Sequence, residues 1–112
     1  MFTRMNGIQI IEKERLRQQQ VEGWTPEHDA QHVDESLALA AVCYALPDGC
    51  RNIYAGNQGL SNVFHVLWPR SWKFSYWKPS PNNRIKELAK AGALIAAEID
   101  RLNTIIPIGK VQ

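Results

Sequence analysis

The chain carries three groups of residues whose types and spacing suit chemistry. Within Glu27-His28-Asp29-Ala30-Gln31-His32-Val33-Asp34-Glu35, His28, His32 and Glu35 fall at i, i+4 and i+7, which on a helix is one face. Two neutral imidazoles and a carboxylate form a ligand set for zinc or a similar divalent ion, with one position left for water and Asp29 beside it as a second acceptor or base. The same residues also read as an acidic first helical turn that complements the macrodipole, its histidines half exposed. Both readings stay open.

A second group, Trp68-Pro69-Arg70-Ser71-Trp72-Lys73-Phe74-Ser75-Tyr76-Trp77-Lys78, alternates flat rings with cations. Trp68, Trp72 and Trp77 suit stacking on a base, and Arg70, Lys73 and Lys78 suit a phosphate, the combination that nucleotide sites need. Three tryptophans near a small core equally suit covering the helices, with the basic stems laid over them. The third group, Lys90 with Glu98, Asp100 and Arg101, lies beside an apolar seam, where a charge can face a site, and reads more readily as a solvated charged face. Convergence of Glu35 and Glu98 with His28 and His32 would make a cluster able to bind magnesium or manganese and a triphosphate. Against an enzyme, the sequence holds no Glu-x-x-Glu repeat, no glycine loop for phosphate and no nucleophile elbow. The expectation is a noncatalytic protein without a cofactor. A metal-dependent nucleotide hydrolase using His28, Asp29, His32, Glu35 and Glu98 is the alternative.

Helices must position these groups. Residues 8–22 mix Ile8, Ile11 and Leu16 with good helix formers and a Gln18-Gln19-Gln20 run, and Gly23 predicts a left-handed cap. Thr25-Pro26 predicts the start of a second helix over 26–46, stopped by Pro47, Asp48 and Gly49, with an apolar later half that belongs to the core. A third helix is predicted over 84–102. There Ile85, Leu88, Gly92, Ile95, Ile99 and Leu102 alternate by three and four as a heptad seam, with Ala89, Ala93, Ala96 and Ala97 beside it for close helix pairing.

The stretch from 47 to 82 is longer than most connections and too rich in large rings to be left in water, so it is expected to pack, with a short strand near 63–67. The tail, 103–112, carries Ile105, Ile106, Ile108 and Val111 and is expected to dock on a neighbour within or between chains. The fold class is therefore mainly α: a small three-helix domain spanning 1–112, with a long aromatic-rich irregular insert between the second and third helices.

Composition bounds the function. At 112 residues the chain suits one modest core. An apolar share of 45% and a charged share of 21% are ordinary for a globular domain. A net charge of +2 supplies no global field toward a long nucleic acid or an anionic membrane. Cys43 and Cys50 are too few for a disulfide framework and lack the paired spacing of a zinc site, so a reduced, cytoplasmic home is expected. No stretch approaches the roughly 18 apolar residues of a membrane span, and residues 1–4 lack the apolar run of a signal peptide.

Glu14-Arg15, Glu22-Gly23-Trp24-Thr25, Glu27-His28-Asp29, His32, Glu35, Tyr44-Ala45, Trp77-Lys78-Pro79 and Lys90-Ala91-Gly92-Ala93-Leu94-Ile95-Ala96-Ala97-Glu98-Ile99-Asp100-Arg101-Leu102 form a recurring pattern. It resembles a family of short phage and prophage-encoded proteins generally left without a function. Ala30 stands where that pattern more often has an acidic residue. The resemblance implies a small accessory protein of the host cytoplasm that acts by binding, either a nucleotide-like defence signal or a host protein. A slim helical protomer suits assembly into a homo-oligomer with pockets between copies.

Overall fold

Local capping explains where each helix begins and ends. The structure is a computed structural model and describes residues 4–24, 34–54, 60–62 and 67–105. Helix α1, Gly7–Gln20, opens at Asn6, whose Oδ1 accepts from the Gln9 amide at 2.9 Å while Gln9 Oε1 accepts from the Asn6 amide at 2.8 Å. This reciprocal pair satisfies donors that a helix start otherwise leaves bare. Gly23 then takes the left-handed φ of 76°, and the Trp24 amide turns back to the Gln18 carbonyl at 2.9 Å.

Helix α2, Ser36–Ala45, is shorter than the 26–46 stretch expected. Glu35 has φ 59°, a left-handed backbone that breaks any helix running through it. Asp34 Oδ1 instead accepts from the Ser36 amide at 3.2 Å. Leu37, Ala40, Ala41 and Tyr44, spaced i, i+3, i+4 and i+7, are buried together. Extended Leu46 and Pro47 end the helix.

The insert is more regular than expected. It holds a single helical turn, α3 (Asp48–Arg51), and an antiparallel pair, β1 (Asn52–Tyr54) and β2 (Leu60–Asn62), with Ile53 opposite Ser61. Most of the strand expected near 63–67 lies outside the described residues. A turn closed by the Trp72 amide on the Pro69 carbonyl and a 3-10 helix, Phe74–Tyr76, lead to a last turn at Ser80. Asn83 Oδ1 then accepts from the Lys86 amide at 3.1 Å and starts helix α4, Arg84–Ile105.

Helix α4 is the centre: α1 and α2 both pack on it. Its inner face is built from Ala89, Ala91, Ala93, Leu94 and Ala97, so neighbouring backbones approach closely. A β-carbon on Gly92 would stand 2.5 Å from Ile11 Cδ1, which places α1 directly over that glycine. The charged group on α4 departs from the expected solvated face: Lys90, Glu98 and Arg101 are buried, and only Asp100 stays exposed. The heptad residues Ile85, Leu88, Ile95 and Ile99 are the exposed ones. Of the heptad positions, Gly92 is the one that α1 crosses; the buried alanine face is the other surface that lets helices come close.

Candidate ligand-binding cleft

The three tryptophans of the insert belong to the core, whereas Phe74 and Tyr76 are exposed. Trp68 and Trp72 are buried and Trp77 is half-buried. Trp68 meets Trp72 and Trp77 edge-on at centroid distances of 5.6 and 5.4 Å, Trp24 lies 5.8 Å from Trp72, and Tyr44 lies 4.6 Å from Trp77. Such edge and tilted pairs tie α2, the cap of α1 and the insert together. Of the six residues expected to hold a ligand, Trp68 and Trp72 therefore serve packing, while Arg70, Lys73 and Lys78 are exposed. The six do not form a single platform.

An open cleft of about 370 Å³, solvent at its mouth included, gathers one of those cations and Lys90 of the third group with residues that sequence reasoning passed over. Arg17, Gln18, Glu22 and Trp24 come from α1 and its cap, Tyr44 from α2, Tyr76 and Lys78 from the insert, and Lys90 and Leu94 from α4. Arg17 is already paired with Glu14 and Glu22, so Lys78 and Lys90 are the lining cations that could meet an anion.

Each wall is fixed by bonds to its neighbours. Lys90 Nζ donates to the Lys78 carbonyl at 2.7 Å and stands 5.4 Å from the centre of the Tyr44 ring. Burial, followed by the charge of Lys86, pushes Lys90 below the usual lysine range. The Tyr44 hydroxyl accepts from the Lys78 amide at 3.0 Å and donates to the Tyr76 carbonyl at 3.3 Å, and burial pushes it up to about 12. Arg17 donates to Glu14 at 2.7 and 2.9 Å and to Glu22 at 3.1 Å, and its bond to Glu14 holds it above the usual arginine range.

Gln18 is buried, and its Nε2 donates to Glu14 Oε2 at 3.2 Å. Turning the amide over would set an oxygen against that carboxylate, so Glu14 fixes its orientation. Gln18 Oε1 is left buried without a hydrogen-bond partner among the described residues. Buried acceptors are ordinarily satisfied, so this atom is ready to take an N–H donor. The signal for these residues was a polar side chain inside a small or apolar face: Lys90 between Ala89 and Ala91, and Gln18 seven residues after Ile11.

The metal reading has a different fate at each residue. His28, Asp29 and His32 lie outside the described residues. Glu35 is not helical, so the single face assumed for His28, His32 and Glu35 does not extend through it. Both carboxylate oxygens of Glu98 accept from Arg101, at 2.6 and 3.1 Å. Arg101 is held above its ordinary range first by that bond, with further contributions from the charges of Glu35 and Asp34. A guanidinium thus stands among the carboxylates expected to converge. Among the described residues, no three His, Cys, Asp or Glu side chains gather to hold a metal ion, and no helix is long and apolar enough to cross a membrane.

Comparison of the chain with protein-family models, curated proteins and solved structures returned no match. Function has to be argued from the site.

Proposed function

We propose that the chain is a noncatalytic binding protein that sequesters a nucleotide-like ligand in the cleft between α1, α4 and the insert. One observation carries the reading. Lys90 is a buried ammonium bonded to a carbonyl and an aromatic face, with no carboxylate bonded to it among the described residues. The charges of Glu14 and Glu22 act on it only through space; a buried charge without a bonded counter-charge is costly, and an anionic ligand group would supply one. Lys78 at the rim would share that anion. Tyr76 and Trp24 offer ring surface for a base, and Gln18 Oε1 accepts from an amino or ring N–H. In the setting the resemblance implies, a phage accessory protein would hold a nucleotide signal in the host cytoplasm without converting it.

The test is to incubate the protein with linear and cyclic nucleotides, separate bound from free by filtration, denature the retained fraction and chromatograph both. The expected result is one nucleotide retained and released intact, with affinity reduced roughly ten- to hundredfold in Lys90→Met, the worth of a charge-assisted hydrogen bond. No retention, unchanged affinity in that variant, or a new product would each overturn the reading.

A further inference from the structure

The wall of the cleft that comes from α1 and its cap is built to accept hydrogen bonds. Gln18 Nε2 and Arg17 Nη2 both donate to Glu14 Oε2, at 3.2 and 2.9 Å, and Arg17 Nη1 donates to Glu22 Oε1 at 3.1 Å. Arg17 also reaches the other oxygen of Glu14 at 2.7 Å, which holds that carboxylate in place beside Gln18. A glutamine amide can ordinarily turn over and offer either its oxygen or its nitrogen; here the fixed carboxylate takes the nitrogen. Acceptors are left at the two ends of this chain, and both residues line the cleft. One is Gln18 Oε1, buried and without a hydrogen-bond partner among the described residues. The other is the second oxygen of half-buried Glu22, also without a hydrogen bond among them. The ammonium groups come from the other elements, Lys78 from the insert and Lys90 from α4.

A ligand that satisfies these groups brings N–H donors to the α1 wall and an anion to the lysines. Among the common bases, guanine alone sets two donors side by side on its pairing edge, a ring N–H and an exocyclic amino group. Adenine and cytosine place their amino group beside a ring nitrogen that accepts, and uracil flanks its ring N–H with carbonyls, so each would turn an acceptor toward the Gln18 oxygen or the Glu22 carboxylate. An acceptor against a buried acceptor leaves both unpaired, which is costly. We propose that the cleft selects a guanine nucleotide with a single phosphate, Gln18 and Glu22 reading the base while Lys90 and Lys78 hold the phosphate. One phosphate is the match because Arg17 is paired with glutamates and only the two ammonium groups remain for an anion. The space agrees: about 370 Å³ stands at the small end of ligand sites, which run from about 300 to 1,000 Å³. The inference rests on the nucleotide reading of the cleft and adds the base to it.

Equilibrium dialysis of the full chain against guanosine, inosine and adenosine monophosphate, with cyclic GMP and cyclic AMP as a second pair, tests the base. Inosine monophosphate lacks the exocyclic amino donor and should bind roughly ten- to hundredfold more weakly than GMP, the worth of a hydrogen bond to a charged group. AMP, which also turns an acceptor to the wall, should bind more weakly still, because a site built to bond an N–H rejects an analogue without it. Guanine should win whether the phosphate is open or closed into a ring. In Gln18→Met, with unchanged far-ultraviolet circular dichroism, the preference for GMP over AMP should fall roughly tenfold or more, whereas Lys90→Met should weaken guanine and adenine nucleotides alike. AMP bound as tightly as GMP overturns this inference and leaves the nucleotide reading standing; binding of no nucleotide overturns both. A full guanine preference in folded Gln18→Met overturns the role of Gln18. Should that variant fail to fold, the order of ligands on the native chain decides.

Discussion

At the scale of single residues, the cleft is a place where two titrations oppose each other. Lys90 has its folded pKa below the unfolded value, so the folded state holds fewer protons than the unfolded state between the two, and stability rises with pH through that window. Tyr44 is the reverse. Raised from 10.0 to about 12 by burial, it stays protonated in the fold while the unfolded chain ionises, and stability falls between those values, by roughly 2–3 kcal/mol in all. Urea midpoints should therefore rise as the pH approaches 10 and fall beyond it, and Tyr44→Phe should remove the fall. A midpoint falling as steeply above pH 10 in Tyr44→Phe would show that another group is responsible. If the proposed anion binds at Lys90, its affinity is expected to move in the opposite sense, weakening as pH rises through the lowered pKa of the ammonium. The sequence singled out Lys90 only as a charge beside an apolar seam and did not mark Tyr44, because a tyrosine late in an apolar helix has no motif and their meeting joins three separated segments.

At the scale of elements, the sharpest constraint is the crossing of α1 over α4 at Gly92. An added methyl group there meets Ile11 Cδ1 at 2.5 Å and Cγ1 at 2.7 Å, so the whole Ile11 side chain must shift. Overpacking of this kind costs about 1–3 kcal/mol, partly offset by the gain of about 1 kcal/mol that alanine brings to a helix interior. Gly92→Ala is expected to destabilise by about 1 kcal/mol. Added to Ile11→Ala, where the space is already open, the same substitution should instead stabilise. A double-mutant cycle by urea denaturation measures this coupling, and additive effects would mean that α1 does not rest on the glycine. The three helices were readable from Gly23, Pro47 and the spacing along 84–102. The break at Glu35 was not, because glutamate carries no local preference for a left-handed backbone.

At the scale of the whole molecule, the aromatic cluster decides how the insert relates to the helices. Trp24, Tyr44, Trp68, Trp72 and Trp77 come from the cap of α1, from α2 and from the insert, and their rings meet within 6.3 Å centre to centre. Trp72→Ala should therefore cost about 3–5 kcal/mol, as truncation of a core aromatic does, with loss of the near-ultraviolet signal. A stacking residue on the surface would leave the urea midpoint nearly unchanged, and that outcome would return Trp72 to a ligand role. The alternation of rings and cations from Trp68 to Lys78 had admitted both readings, because a period of ring and charge is the same whether the ring faces inward or outward. By itself, the sequence determined the helical class, the left-handed cap at Gly23, the long insert and the presence of two faces on the last helix, since these depend on residues close along the chain. Only the tertiary structure decided which of those faces is buried, which tryptophans are core and where Lys90 and Gln18 meet. Burial is settled by competition among surfaces contributed by distant segments, and no local spacing records the winner.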